Sequence, residues 1–206
     1  YLCNKAFPKK NIYVATDSNK ICKIVEKYGF NVVMTQEQCL TGTDRVAQAS
    51  KKIKADIYIN VQGDEPLINP KDILKVVDFK KKNYNRVINC YTKINNENPL
   101  NTNLPKVAIN QNNDLIYMSR SLVPGTKKEN KVKYNFYKQV CIYAFNKYEL
   151  KVFASKKKKS NLEMLEDIEI LRFFEFNIPI KMIKLNKQSL AVDTPQDLKK
   201  IQKYFD

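Results

Sequence analysis

The chain has 206 residues, 43% of them hydrophobic, enough for one well-buried core or a core with a smaller insert, and no apolar run approaches the ~18 residues of a membrane-spanning helix. Lys and Arg number 37 against 21 Asp and Glu, so the net charge of +16 attracts phosphate-bearing partners without choosing among nucleotides, nucleic acid and anionic lipid. Histidine is absent, which excludes Ser-His-Asp and Cys-His catalysis and histidine-containing zinc sites and leaves acid-base or metal chemistry to carboxylates, Lys, Tyr or the substrate.

Five cysteines, Cys3, Cys22, Cys39, Cys90 and Cys141, are dispersed with no CxxC pair. Without a secretion signal they read as reduced thiols in the cytoplasm. The cations are mostly Lys among abundant Asn and Ile, a solvated surface with no nucleic-acid recognition motif beside it. The chain opens on Tyr1 rather than an initiator methionine, which suits a fragment or a processed chain.

In chain order, the apolar run at 11–16 predicts a strand, and Asp17-Ser18 caps a helix to about Tyr28, stopped by Gly29. A strand follows at 31–34, a helix from Thr43 to about Lys54, a strand at 56–61 and a helix from Pro70 to about Lys82. This βα alternation implies a mainly parallel mixed sheet with helices on both faces. The middle changes character: 86–94 and 106–118, the latter broken at 110–114, read as strands and a hairpin, a small antiparallel insert. The polar, lysine-rich stretch 125–133 reads as a mobile surface loop. A buried strand at 137–145, a helix at 161–176, a strand at 180–185 and a helix from Pro195 complete the series. No repeat and no Gly- or Pro-rich linker divides residues 1–206, so one domain is expected.

The segment Asn60-Val61-Gln62-Gly63-Asp64-Glu65-Pro66 stands where a strand ends. In open α/β sheets ligands collect at strand carboxyl ends; Gly63 would permit a sharp turn, and Asp64 would point into the crevice and could hold Mg²⁺ against a nucleotide phosphate. A turn that uses Gly and Asp only for their conformation fits the spacing equally well.

Together with YVATD at 13–17, TGTDR at 41–45, YMSR at 117–120 and VDTPQDL at 192–198, this NVQGDEP segment resembles the CMP-KDO synthetase family, the 3-deoxy-manno-octulosonate cytidylyltransferases. The motifs occur in the family's order across nearly the whole chain. The resemblance implies a Rossmann-like nucleotidyltransferase fold, CTP and a 3-deoxy-sugar acid such as KDO as substrates, Mg²⁺ as cofactor and a cytoplasmic homodimer, with no nucleic-acid or membrane partner. Residues 86–145 would include the sugar-binding and dimerisation strands. Asp64 and Asp193 match the two metal-binding aspartates; Gln62, Arg120, Gln139, Tyr143 and Glu169 match sugar-acid contacts; Gly42, Thr43 and Arg45 match the cytosine end of the pocket. Locally, Thr194, Pro195 and Asp197 are explained as helix-start residues, whereas an acid at Asp193 is not. Glu163, Glu166 and Glu169, three apart on the expected helix, would otherwise read as a solvated stripe.

Two positions depart from the family near the sugar: Gln139 stands where histidine is more frequent, and Ile170 where a glutamine follows the glutamate. The family also begins with a strand and an Ala-Arg, Ser-x-Arg-Leu-Pro-Gly-Lys signature that neutralises the triphosphate. Nothing in this sequence matches it, so the resemblance implies a chain short of roughly the first strand, central in the sheet, and half of the following helix. An inactive fragment of the family and a basic nucleic-acid-binding module are the alternatives.

Overall fold

The computed structural model describes residues 1–95, 97–125, 135–186, 191–192 and 194–204. Its first half runs α1 (Leu2–Ala6), β1 (Tyr13–Thr16), α2 (Asn19–Lys27), β2 (Asn31–Met34), α3 (Gly42–Lys52), β3 (Tyr58–Val61), α4 (Pro70–Lys82) and β4 (Val87–Lys93). The second half runs β5 (Lys106–Ile109), β6 (Leu115–Ser119), β7 (Tyr137–Phe145), α5 (Lys147–Phe153), α6 (Asn161–Glu166), a 3-10 turn (Glu169–Leu171), α7 (Arg172–Glu175), β8 (Ile180–Lys184) and α8 (Pro195–Gln202). Most of the expected loop at 125–133 lies outside the described residues.

Six strands form one mixed sheet in the order β6-β5-β7-β4-β8, with β3 also joined to β7. Its β4–β8 pairing is parallel, but every pairing of β7 is antiparallel. The balance is therefore less parallel than the βα alternation implies, because β7 runs against its neighbours in the middle of the sheet. Among the described residues β1 and β2 pair, in parallel, only with each other, and α3 packs against both β1 and β3.

Strand alternation divides the core. Tyr58, Val87, Tyr91, Tyr143 and Phe145 face one side, where α3, α5 and the 161–176 region cover them. Ile88, Cys90, Val140, Ile142 and Ala144 face the other, under α4 and α1. Helices thus lie on both faces, as expected.

The helix expected over 161–176 is broken. Asp167 adopts φ 49°, ψ 47° and ends α6, so the three glutamates do not share a solvated stripe. Glu163 is fully buried against Arg172, whose Nε and Nη2 donate to its two carboxylate oxygens at 2.7 and 2.6 Å. The same guanidinium donates to Asp44 at 2.8 and 3.1 Å and lies 3.8 Å from the Phe153 ring. Asp44 in turn accepts the hydroxyl of Thr41, the N-cap of α3. One buried arginine thereby ties the start of α3 to α6 and α7. Ile170, expected beside the sugar, is 1% exposed and belongs to the core, because the 3-10 turn carries Ile170 and Leu171 inward.

Replacing Arg172 with Met would leave two carboxylates facing one another without a cation. The expected loss is about 3–5 kcal/mol of unfolding free energy, measured by urea titration. A loss below about 1 kcal/mol would show that the pair contributes no more than a surface ion pair.

Candidate active site

A cleft of about 1100 Å³ opens at the carboxyl end of β3 and is walled by segments as distant as Leu40 and Ile201. Its floor is set by an irregularity in β7. Asn89 pairs with Tyr143 and Cys90 with Val140, so Cys141 and Ile142 have no partner in β4. The bulge leaves backbone groups to be satisfied. Asn89 Nδ2 donates to the carbonyls of Val140 and Ile142 at 3.1 and 2.9 Å. On the other edge, the Gln62 amide donates to the Cys141 carbonyl at 3.2 Å, and the Cys141 amide donates to Glu65 Oε1 at 3.2 Å. The Gln62–Glu65 turn is thereby docked onto the bulge, with Asp64 lining the cleft.

Asp64 Oδ1 is buried, and its carbonyl accepts the Val192 amide at 2.8 Å. The chain just before Asp193 therefore runs beside Asp64; Asp193 itself lies outside the described residues. A Cβ on Gly63 would meet nothing within 4 Å, so the turn does not require glycine there. The constrained glycine is Gly42, where a Cβ would lie 2.8 Å from Gln62 Nε2.

Glu169 joins three elements. Gln62 Nε2 donates to its Oε1 at 2.7 Å and the Thr43 amide to its Oε2 at 2.9 Å. Burial pushes its carboxyl above the ordinary range, although the bonds from Thr43 and Thr41 oppose the shift. Burial, with Asp64, Glu65 and Glu169 nearby, also raises the Cys141 thiol well above its usual value. The cleft thus holds a cluster of oxygen acids within a strongly cationic chain.

Gln139, Cys141 and Tyr143 alternate along β7 and all line the cleft. Arg120 lines the opposite wall and donates to the carbonyls of Glu166, Thr102 and Asp167 at 2.6, 3.0 and 3.0 Å. Its Nη2 also lies 3.7 Å from Asp167 Oδ2, so the guanidinium is anchored by three carbonyls and one carboxylate. Glu166 accepts from Ser119 Oγ and the Arg120 amide at 2.7 and 2.8 Å, which fixes the strand end that carries Arg120. Lys106, fully buried, donates to the Asn101 and Arg120 carbonyls and so ties the 101–105 wall to the same strand end.

The structure brings Gln62, Asp64, Arg120, Gln139, Tyr143 and Glu169 to one cleft. Of TGTDR at 41–45, where Gly42, Thr43 and Arg45 are expected at the base, Thr41 lines it, next to Leu40. Gly42 and Thr43 sit just behind, against Gln62 and Glu169. Arg45 points elsewhere, donating to Asp17 and Thr35 at 2.7 and 2.6 Å, beyond the ends of β1 and β2. The site residues expected from the sequence do not include Asn89, Glu65, Lys106 or Glu166, although Glu65 lies within the NVQGDEP segment. Asn89 carried one readable signal, a polar residue in the otherwise apolar run Val87–Tyr91.

No ready-made group of three metal-ligating side chains occurs among the described residues. Asp64, with the chain around Asp193 beside it, still fits Mg²⁺, which prefers oxygen donors and is commonly held by one or two carboxylates with substrate and water completing its shell.

A family model described as cytidylyltransferase matches residues 3–183. The 3-deoxy-manno-octulosonate cytidylyltransferase of Rickettsia canadensis (strain McKiel) is 36% identical over 201 residues, covering 96% of this chain and 80% of that protein. That of Elusimicrobium minutum (strain Pei191) is 34% identical over 205 residues, covering 98% and 83%. Among solved structures, CMP:2-keto-3-deoxy-manno-octonic acid synthetase complexed with CTP superposes with a TM-score of 0.85 at 31% identity, over 94% of this chain and 79% of that one. The inositol-1-phosphate CTP transferase from T. maritima, with a TM-score of 0.61 and 16% identity over 88% and 69% of the two chains, shares the fold. The match spans both the β3 turn and the strands around β7 that shape the cleft, and the chain belongs to the 3-deoxy-manno-octulosonate cytidylyltransferase family.

Proposed function

We propose that this enzyme transfers CMP from CTP to KDO or a closely related 3-deoxy-sugar acid, releasing pyrophosphate, for lipopolysaccharide or capsule synthesis. The observation that carries the reading is the convergence of Gln62, Asp64, Arg120, Gln139, Tyr143 and Glu169, drawn from four separate stretches of sequence, on one cleft.

In this reading the anomeric hydroxyl of the sugar acid attacks the α-phosphorus of CTP and pyrophosphate leaves. Arg120 receives the sugar carboxylate, for which a planar guanidinium is suited. Gln62, Gln139, Tyr143 and Glu169 receive its hydroxyls, and the 41–43 segment approaches the cytosine. Asp64 and Asp193 would hold Mg²⁺, and the chemistry that ion would supply is a lowered hydroxyl pKa and screening of phosphate charge. The protein's part is to orient hydroxyl and phosphorus and to keep the cluster of acids fixed beforehand. No side-chain nucleophile is required, in keeping with a chain devoid of histidine.

The reading includes a homodimer and a cytoplasmic location. The exposure of Ile116 on edge strand β6 and of Leu100 supports the first, and five free thiols support the second. No described helix is long and apolar enough to cross a membrane.

Asp64→Asn is expected to reduce transfer on the order of 100-fold or more while leaving the thermal unfolding midpoint nearly unchanged. Pyrophosphate release across a Mg²⁺ series measures this, and near-parental turnover at low Mg²⁺ would remove Asp64 from the metal site. Gly42→Ala tests the Gln62–Glu169 contact. Its Cβ would displace Gln62, raising the KM for the sugar acid roughly 10-fold with little change in the KM for CTP. An unchanged sugar KM would show that Gln62 does not act from this position.

A further inference from the structure

Gln139 is held by a chain of hydrogen bonds that leaves its side-chain amide one orientation. The chain starts in the backbone. Val140 and Ile142 present carbonyls at the bulge, and Asn89 Nδ2 spends both its hydrogens on them, at 3.1 and 2.9 Å. Asn89, fully buried, must therefore offer its Oδ1 as an acceptor. Gln139 Nε2 lies 3.0 Å from that oxygen, and only its nitrogen can be the group facing it. The second hydrogen of Nε2 goes to the Tyr143 hydroxyl at 3.1 Å. Tyr143 is itself 2% exposed and stacked on Phe145 with ring centroids 6.0 Å apart. Both donors of Gln139 are thus committed to the protein. Its Oε1 is left for the cleft that Gln139 lines.

We infer that Asn89 is a positioning residue, and that through it Gln139 becomes an acceptor-only contact that selects a sugar acid carrying a donating hydroxyl at one position. This rests on the sugar-acid reading of the cleft. An unanchored glutamine could present either end of its amide and would discriminate little between a donor and an acceptor on the substrate. The anchored one presents oxygen alone, so a substrate lacking that hydroxyl leaves it without a partner. Asn89 touches no substrate in this scheme. Its effect passes through the bulge carbonyls on one side and Gln139 on the other.

The orientation and its consequence can be measured separately. With ¹⁵N-labelled protein, the Gln139 side-chain amide, assigned by its disappearance in Gln139→Met, should show two resolved protons protected from exchange with water. A freely exchanging amide overturns the orientation. Kinetics then use saturating CTP with KDO and with KDO analogues each lacking one hydroxyl. For the unsubstituted protein, one analogue should lose about 10-fold in kcat/KM relative to KDO. Gln139→Met should lower kcat/KM for KDO to that analogue's value and abolish the difference between them, with the KM for CTP unchanged. Asn89→Leu should raise the sugar KM in the same direction while kcat changes less; if it does not fold, Tyr143→Phe, which frees one hydrogen of Nε2, should weaken the same discrimination. Discrimination that survives in Gln139→Met overturns the acceptor role, and discrimination that survives in folded Asn89→Leu, or failing that in Tyr143→Phe, overturns the positioning role. If calorimetry shows the same discrimination in binding while no transfer from CTP occurs, the transferase reading fails and the acceptor role stands; if no sugar acid binds, both fall.

Discussion

Strand β7 must satisfy three neighbours. It pairs with β4 along one edge, while β5 and β3 share the other. A regular strand would carry its register unbroken past all of them, and the two-residue bulge at Cys141-Ile142 is where this one does not. The cost of a bulge is unmatched backbone polarity. Here that polarity is answered by Asn89 on one side and by Gln62 and Glu65 on the other. The residues that repair the strand are therefore the ones that set the cleft's floor, and Asp64 reaches the cleft because the turn on either side of it is bonded to the bulge.

The electrostatics of the site oppose those of the chain. Although the net charge is +16, the lysines at the cleft rim are engaged locally: Lys138 with Glu97 at 2.5 Å and Lys159 with Asp167 at 2.7 Å. The carboxylates deeper in are held by uncharged donors, as Glu169 is by an amide side chain and a backbone N–H. Neutral donors fix a carboxylate's position without cancelling its charge, which suits a group that is to face a cation or a hydroxyl. Arg172, by contrast, neutralises Glu163 and Asp44 inside the protein, where a free charge would be costly. Position and neutralisation are thus assigned to different residues.

Periodicity made most elements legible. The strands at 31–34 and 137–145 and the helix at 70–82 have the expected bounds, since each couples an apolar pattern to a clear stop or cap. Helix α5 escaped notice because it is seven residues long and follows β7 at once, yet Asn146 and Glu149 form a capping box that the spacing displays. The break at Asp167 was illegible, because the apolar spacing continues through it and only tertiary bonds to Glu163, Glu166 and Glu169 separate the turns. The glycines illustrate the same limit. Gly63 looks like the turn residue by its place after a strand, but the tight approach belongs to Gly42, whose neighbour Gln62 is distant in sequence and adjacent only after folding.

The parallel pairing of β4 with β8 has a consequence in time. β4, almost wholly buried in the finished protein, receives its partner only when Ile180–Lys184 has been made. At roughly 5–20 residues per second, the interval between Lys93 and Ile180 lasts several seconds, during which that strand edge has no strand to complete it. The same delay applies to the cleft, whose walls come from both halves of the chain. A growing polypeptide can assemble β3, β4 and β7 before residues 194–201, which also line the cleft, have been made. The four consecutive lysines made in that interval, Lys156–Lys159, add like charge of the kind that disfavours pairing between exposed strand edges.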